Sequence, residues 1–194
     1  MFSNFECVDL RLGPASIHAR IGGEGPALLL LHGYPQTHVM WHALADTLAR
    51  HYRVVVADLR GHGDSLAHDG DFTFRAMAAD QVALMRALDM PRFHLAAHDR
   101  GARTAHRMAL DHPHAVASVA LLDILATPDV WRLMDAWLAR RYYHWLFLSQ
   151  PRAKTPRMRI YRLATETTGR SGRAVFCREI SRGSPAGTGA APPP

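Results

Sequence analysis

The stretch FHLAAHDRGARTAHRMALDHP, residues 93–113, decides the fold of this chain. Its first residues, Phe93 to Ala97, are typical of a short strand. A helix is expected from about Ala102 to Asp111. Between the two lies the turn AHDRG, in which Ala97 and Gly101 stand two positions either side of Asp99. Small residues at these positions let a helix pack tightly behind a strand, so we expect a sharp strand–turn–helix unit with Asp99 at its apex.

Short apolar runs and amphipathic segments alternate along the rest of the first 122 residues. Further buried strands are expected at Ala27–Leu31, Arg53–Ala57 and Ala115–Leu122, a hairpin at Glu6–Leu10 and Ser16–Ile21, and helices at 38–50 and 75–88. Strands that alternate with helices favour an α/β fold, with a mostly parallel sheet covered by helices on both faces.

Polar residues follow several of these strands. His32, Asp58, Asp99 and Asp123 each come directly after a strand. Functional residues of such sheets gather at the carboxyl ends of the strands, so we expect the site there.

The charge of the chain is unevenly distributed. The net charge is +6, yet residues 151–194 hold nine basic and two acidic side chains. The first 150 residues are therefore close to neutral, and we expect no nucleic-acid partner.

The composition also indicates a location. No apolar run approaches the ~20 residues that span a bilayer, and residues 1–13 do not resemble a signal peptide. Two cysteines, Cys7 and Cys177, are too few for a disulfide framework. We expect a cytoplasmic protein without membrane association.

An aspartate at the apex of such a turn can act as a nucleophile. A carboxylate that attacks a saturated carbon displaces a leaving group and forms an alkyl ester, which water then hydrolyses. The amino terminus of the following helix favours the ionised form of Asp99. The alternative is that Asp99 only caps that helix.

Several segments together resemble the haloacetate dehalogenases, the fluoroacetate dehalogenase group of the α/β-hydrolase superfamily. They are LLLLHGYPQ, VVVADLRGHGDS, HDRGAR, VALLDI and YYHWLFLSQP, and the resemblance covers roughly residues 5–151. It implies that residues 1–127 form the first part of the hydrolase core and 128–151 the start of a helical lid. Residues 152–194 are then a basic, non-homologous tail, whose low-complexity end indicates disorder.

The resemblance also implies roles for individual residues. Asp99 would be the nucleophile, and Asp123 the acidic residue that orients the catalytic histidine. Arg100 and Arg103 would hold the substrate carboxylate, a task that suits paired guanidinium groups. The side chains of His144 and Trp145 would donate hydrogen bonds to the departing halide. The backbone N–H groups of Tyr34 and Arg100 would form the oxyanion hole. The implied substrate is a small halo-acid, with no metal or organic cofactor, and a homodimer is compatible with this assignment.

One expected residue is missing. The family's general base is a histidine far downstream, whereas all 13 histidines lie at or before His144. We do not expect His62, His98, His106 or His112 to replace it. The last strands of the expected sheet and the rest of the lid are missing as well, so we hypothesise that the reading frame is lost near Pro151. A genuine basic extension is the alternative, and translating the downstream DNA in the other frames distinguishes the two.

Two other functions compete with a dehalogenase. An epoxide hydrolase would use the same aspartate with lid tyrosines, for which Tyr142 and Tyr143 are candidates, although Arg103 argues against it. A non-catalytic remnant or a basic-tailed binding module is the third possibility. We expect a dehalogenase front half that reacts only once per molecule.

Overall fold

The computed structural model describes residues 2–143 and residue 146 of the chain. Within them the chain forms seven strands, five α-helices and one 3₁₀ turn. In chain order these are β1 (Glu6–Leu12), β2 (Ala15–Gly22), β3 (Ala27–Leu31), a 3₁₀ turn (His38–Trp41), α1 (His42–Leu48), β4 (Arg53–Ala57), β5 (Leu66–Ala67), α2 (Phe74–Ala87), β6 (Phe93–His98), α3 (Asp99–Asp111), β7 (Val116–Leu122), α4 (Thr127–Arg132) and α5 (Ala136–Arg141).

The strands form one mixed sheet in the order β1-β2-β4-β3-β6-β7, with β5 paired to β2. The hairpin β1–β2 is antiparallel, as predicted, and β2 also pairs antiparallel with β4. The pairs β3–β4, β3–β6 and β6–β7 are parallel. The predicted α/β architecture with a mostly parallel sheet is confirmed. Among the described residues β7 is the last strand on its side of the sheet.

Helices cover both faces of the sheet centre because the residues of β3 and β4 alternate between them. Leu29 and Val55 belong to a core with α2 and α3, represented by Met85 and Met108. The intervening residues of both strands pack with Trp41 and other residues from the opposite side. Burial of each such aliphatic side chain stabilises the fold by about 1.5–3 kcal/mol.

Some predicted boundaries differ from the structure. The third helix starts at Asp99, directly after β6, instead of near Ala102. The segment expected as one helix over 38–50 divides into a 3₁₀ turn and α1, and the Thr37 hydroxyl accepts a hydrogen bond from the Val39 N–H at the start of that turn. The two-residue strand β5 was not predicted.

The end of the described chain is the most exposed part of the fold. Val119, Leu121 and Leu122 on β7 are more than two-fifths exposed, and helices α4 and α5 bury little apart from Val130. These helices agree with the predicted helical segment after residue 127. The tail expected at 152–194 lies outside the described residues. Within the described part, no helix has both the length and the apolar character needed to cross a membrane.

Candidate active site

Asp99 lies at a sharp turn between β6 and α3. Its φ of +46° is in the left-handed region, which costs a side-chain-bearing residue conformational energy and is frequent at functional sites. Behind it, Gly101 faces β3, where an added Cβ would lie 2.5 Å from the carbonyl oxygen of His32. Ala97 is fully buried. The small residues on either side of Asp99 are therefore required by packing, as the sequence predicted.

The backbone after β3 contacts the Asp99 carboxylate directly. The Tyr34 N–H donates a hydrogen bond of 2.8 Å to Oδ1 of Asp99. This N–H is one of the two donors expected for the oxyanion hole. The second, the Arg100 N–H, belongs to the first turn of α3, where backbone N–H groups have no partner within the helix. A donor aimed at Oδ1 distinguishes the two carboxylate oxygens and orients the carboxylate.

A buried histidine fixes the peptide that carries this donor. The Leu59 N–H donates to Nε2 of His32 at 3.0 Å, so the proton of this imidazole is on Nδ1, which donates to the Gly33 carbonyl at 2.9 Å. The Gln36 N–H donates to the same carbonyl. Burial lowers the pKa of His32 and keeps it neutral. Because C=O and N–H of a trans peptide point in opposite directions, the held Gly33 carbonyl aims the Tyr34 N–H at Asp99.

Gly33 itself packs against the nucleophile. An added Cβ would lie 2.7 Å from Cβ of Asp99 and 2.8 Å from Nδ1 of His98. A glycine is therefore required where the loop after β3 approaches the turn. The sequence predicted the Tyr34 donor and, from the position of His32-Gly33 directly after a buried strand, a functional loop at this point.

Arg100 and Arg103, the two arginines of α3 predicted to bind a carboxylate, are both held by neighbouring groups. Arg103 is 8% exposed, and its Nη1 donates to Oγ1 of Thr127 at 2.8 Å. Burial lowers the pKa of Arg103, and the negative charge of Asp99 opposes this shift, so the two charges interact. The Arg100 guanidinium lies over the Phe74 ring, 5.0 Å from its centroid. The structure thus places one of the two predicted carboxylate-binding cations in electrostatic contact with Asp99.

Asp123 follows β7 and has a φ of +53°. Its side chain is 88% exposed, and its Oδ2 lies 3.7 Å from Nε2 of His98, the residue before the nucleophile. The structure therefore brings Asp123 to the same edge of the sheet as Asp99, as the strand ends predicted. Its role of orienting a catalytic histidine stays a prediction. His144 and Trp145, the predicted halide-binding residues, lie outside the described residues.

A second polar cluster lies beside the loop that follows β3 and contains residues that could ligate a metal ion. His18, His38 and Asp58 are all buried and place one potential ligand atom each within 4.8 Å of one another. Their hydrogen bonds are already made within the protein: Nδ1 of His38 donates to Asp58, and Nδ1 of His18 donates to Asp9. The Asp58 carboxylate also accepts the N–H of His38. This network links the segments after β3 and β4, and its hydrogen bonding accounts for it without an ion.

Residues 26–158 match the alpha/beta hydrolase fold family. The chain belongs to this family. The fold class predicted from the sequence is thereby confirmed, and the role of Asp99 as the nucleophile stays a prediction.

Among curated proteins, the chain is 52% identical over 156 residues to a fluoroacetate dehalogenase from Burkholderia, with 78% of this chain and 51% of that protein covered. It is 34% identical over 109 residues to a soluble epoxide hydrolase from Corynebacterium, with 56% of this chain and 38% of that protein covered. The resemblance to the fluoroacetate dehalogenase group is confirmed. The chain spans about half the length, or less, of these curated relatives.

Similar solved structures include proteins described as epoxide hydrolases. An epoxide hydrolase from Vigna radiata superposes with a TM-score of 0.63 at 29% identity, covering 74% of this chain and 47% of that one. A Pseudomonas aeruginosa protein provisionally described as an epoxide hydrolase has a TM-score of 0.77 at 41% identity, covering 87% and 60% of the two chains. The comparisons thus show the family, whereas its members include both a fluoroacetate dehalogenase and epoxide hydrolases.

Proposed function

We propose that this chain carries the alkylation half of a hydrolytic dehalogenase that acts on small halo-acids such as haloacetate. The observation that carries the proposal is the placement of Arg103, a buried arginine held by Thr127, one helical turn after Asp99 on α3. A carboxylate nucleophile with a buried cation beside it fits a substrate that bears its own carboxylate next to the reacting carbon. The relative at 52% identity is a fluoroacetate dehalogenase, which supports the same substrate class.

The first step uses the geometry around Asp99. Oδ1 accepts the Tyr34 N–H, so Oδ2 is the oxygen that attacks the α-carbon of the substrate. The new C–O bond forms as the C–halogen bond breaks, and the halide leaves with the bonding electrons. Arg103 and Arg100 hold the substrate carboxylate, which orients its α-carbon toward Asp99. His144 and Trp145 donate to the departing halide.

The second step hydrolyses the resulting ester. Water attacks Cγ of Asp99, and the negative charge that develops on Oδ1 is stabilised by the Tyr34 and Arg100 N–H groups. Asp123 orients the histidine that removes the proton of this water in the family mechanism. No histidine follows His144 in the 194 residues, and loss of a general base costs about 10²–10⁴ in rate. We therefore propose that the 194-residue chain forms the ester and then stalls.

The test is a measurement of halide released per protein molecule. The chain is incubated with fluoroacetate, chloroacetate or bromoacetate, and the peptide that contains Asp99 is analysed by mass spectrometry. We expect release of at most one halide per molecule, together with one carboxymethyl group on Asp99. Asp99→Asn should release none, because an amide is not a nucleophile here. Sustained turnover would contradict the stalled ester, and the absence of any Asp99 adduct would contradict the dehalogenase.

An epoxide hydrolase is the second candidate, because Tyr142 is close enough to Arg103 to affect its pKa and could protonate an epoxide oxygen. Diol formation from styrene oxide, without halide release from haloacetate, would favour it. We also propose that the partner is a small molecule, not nucleic acid or a membrane, and that the protein is cytoplasmic.

A further inference from the structure

We propose that Thr127 is a positioning residue that holds Arg103 for the carboxylate of the substrate. The inference rests on the proposed function and deepens it, because it names the group that sets the geometry of the carboxylate contact. It starts from the hydrogen bond of 2.8 Å between Nη1 of Arg103 and Oγ1 of Thr127.

This hydrogen bond joins two elements that meet at the candidate site. Arg103 lies on α3, the helix that begins with Asp99. Thr127 is the first residue of α4, the first helix after β7, and Pro128 follows it at the start of that helix. Thr127 therefore connects the helix that bears the nucleophile to the first helix of the segment predicted as a lid.

The chemistry of the acceptor suits a substrate-binding arginine. Arginine has several rotatable bonds, and holding it in one conformation before binding reduces the entropy lost when a ligand is bound. Threonine is stiff at χ1 because it is branched at Cβ, so its hydroxyl is a well-placed acceptor. The hydroxyl is also neutral. It orients the guanidinium of Arg103 without neutralising its charge, whereas a carboxylate at position 127 would compete with the substrate for that charge.

The charge of Asp99 also acts on Arg103. Asp99 lies one helical turn before Arg103 on α3, and its charge opposes the lowering of the Arg103 pKa by burial. A haloacetate whose carboxylate binds Arg103 would therefore present its α-carbon near Oδ2 of Asp99. Without the Thr127 hydroxyl, Arg103 would remain charged but lose one of the contacts that fix its position.

The test compares a charged and a neutral reagent with the same reacting carbon. Bromoacetate carries the carboxylate that Arg103 binds, and bromoacetamide lacks that charge. The rate of Asp99 alkylation is measured by mass spectrometry of the Asp99 peptide across a range of reagent concentrations. The variants are Thr127→Val, which removes the acceptor at nearly constant volume, and Thr127→Ser, which retains the hydroxyl. Thr47→Val on the exposed side of α1 is the matched control.

For Thr127→Val we expect the half-saturating bromoacetate concentration to rise about tenfold, in keeping with the loss of a hydrogen bond to a charged group. Alkylation by bromoacetamide should be unchanged, which also shows that the variant is folded around Asp99. Thr127→Ser should restore the wild-type value, and Thr47→Val should not alter it.

The outcomes separate the two hypotheses. Equal bromoacetate response in Thr127→Val and wild type would overturn the role of Thr127 while leaving the dehalogenase proposal intact. An equal loss toward both reagents would also overturn it, because the effect would then be general damage to the site. If wild type forms no Asp99 adduct with either reagent, the proposed function fails, and the role of Thr127 fails with it.

Discussion

Replacing Gly33 by alanine is the most direct test of how the loop after β3 supports Asp99. The added methyl group would lie 2.7 Å from Cβ of Asp99 and 3.0 Å from its Oδ1, whereas ordinary contacts begin at 3.4 Å. The gap must therefore open by roughly 0.7 Å, and carbon–carbon contacts are most favourable at about 3.5–4.0 Å. Either Asp99 or the loop that carries the Tyr34 N–H has to move.

The expected loss of alkylation rate follows from the displacement of Asp99 relative to the Tyr34 N–H. A displacement of about 1 Å near a reacting centre can cost ~10² in rate, and the loss of one oxyanion donor costs about 10²–10³. Gly33 has no left-handed backbone angle, so alanine adds only a steric cost, of about 1–3 kcal/mol in stability. We expect Asp99 alkylation by bromoacetate to fall about a hundredfold in Gly33→Ala.

The assay is the rate of Asp99 modification under saturating reagent, with thermal unfolding measured in parallel. Gly13→Ala is the matched control, because Gly13 has a φ of +62° and no atoms within 4 Å of an added Cβ. That variant carries a backbone cost of about 1–2 kcal/mol but lies in the β1–β2 hairpin, so its alkylation rate should equal that of wild type. Equal alkylation rates in both glycine variants would refute the reasoning that Gly33 sets the position of Asp99.

Two further predictions concern the polar groups beneath the site. The lowered pKa of His32 means that the unfolded chain takes up a proton below its ordinary value of 6.5 while the folded chain does not. Stability should therefore fall as the pH drops below about 6.5, by up to about 1.4 kcal/mol per pH unit, and His32→Gln should flatten this slope in thermal unfolding scans. The second concerns Arg60, which is 2% exposed and donates to Asp80 through both Nε and Nη2. Asp80→Ala should cost about 3–5 kcal/mol in urea unfolding because a buried cation loses the carboxylate that accepts from Nε and Nη2, while Asp69 and the Asp71 carbonyl accept only from Nη1. A loss below about 1 kcal/mol would contradict this, and Arg60→Leu combined with Asp80→Leu should recover most of the stability.

Local sequence patterns were sufficient for most strands of the sheet and for the sharp turn at Asp99. The strands Ala27–Leu31 and Arg53–Ala57 have the same bounds in the structure as in the prediction, because a short run of aliphatic residues between polar ends permits few alternatives. The turn at Asp99 was identified because close packing of a helix behind a strand requires small residues two positions before and after the apex. This spacing can be read directly from the sequence.

Contacts between distant segments were not predictable in the same way. The hydrogen bonds from Arg103 to Thr127 and from Leu59 to His32 join residues 24 and 27 positions apart. Their partners are set by how β3, β4 and β7 are ordered in the sheet, and by the exact end of each strand. A sequence pattern places His32 after a strand, but only the folded neighbourhood decides that its imidazole is neutral and which nitrogen carries the proton.

The hydrogen bond from Tyr34 to Asp99 has consequences for both chemical steps. In the proposed mechanism it leaves Oδ2 as the attacking oxygen of the resting protein, and in the ester it would contact the oxygen on which charge develops when water attacks. The donor that hydrolysis requires is thus in place before alkylation, supported by His32 and by the close approach of Gly33. Hydrolysis then depends on the removal of a proton from water, for which a hydrogen-bond donor is no substitute. A chain with this loop and without a general base should accumulate the ester, since the contacts that promote its formation also stabilise Asp99 in the ester geometry.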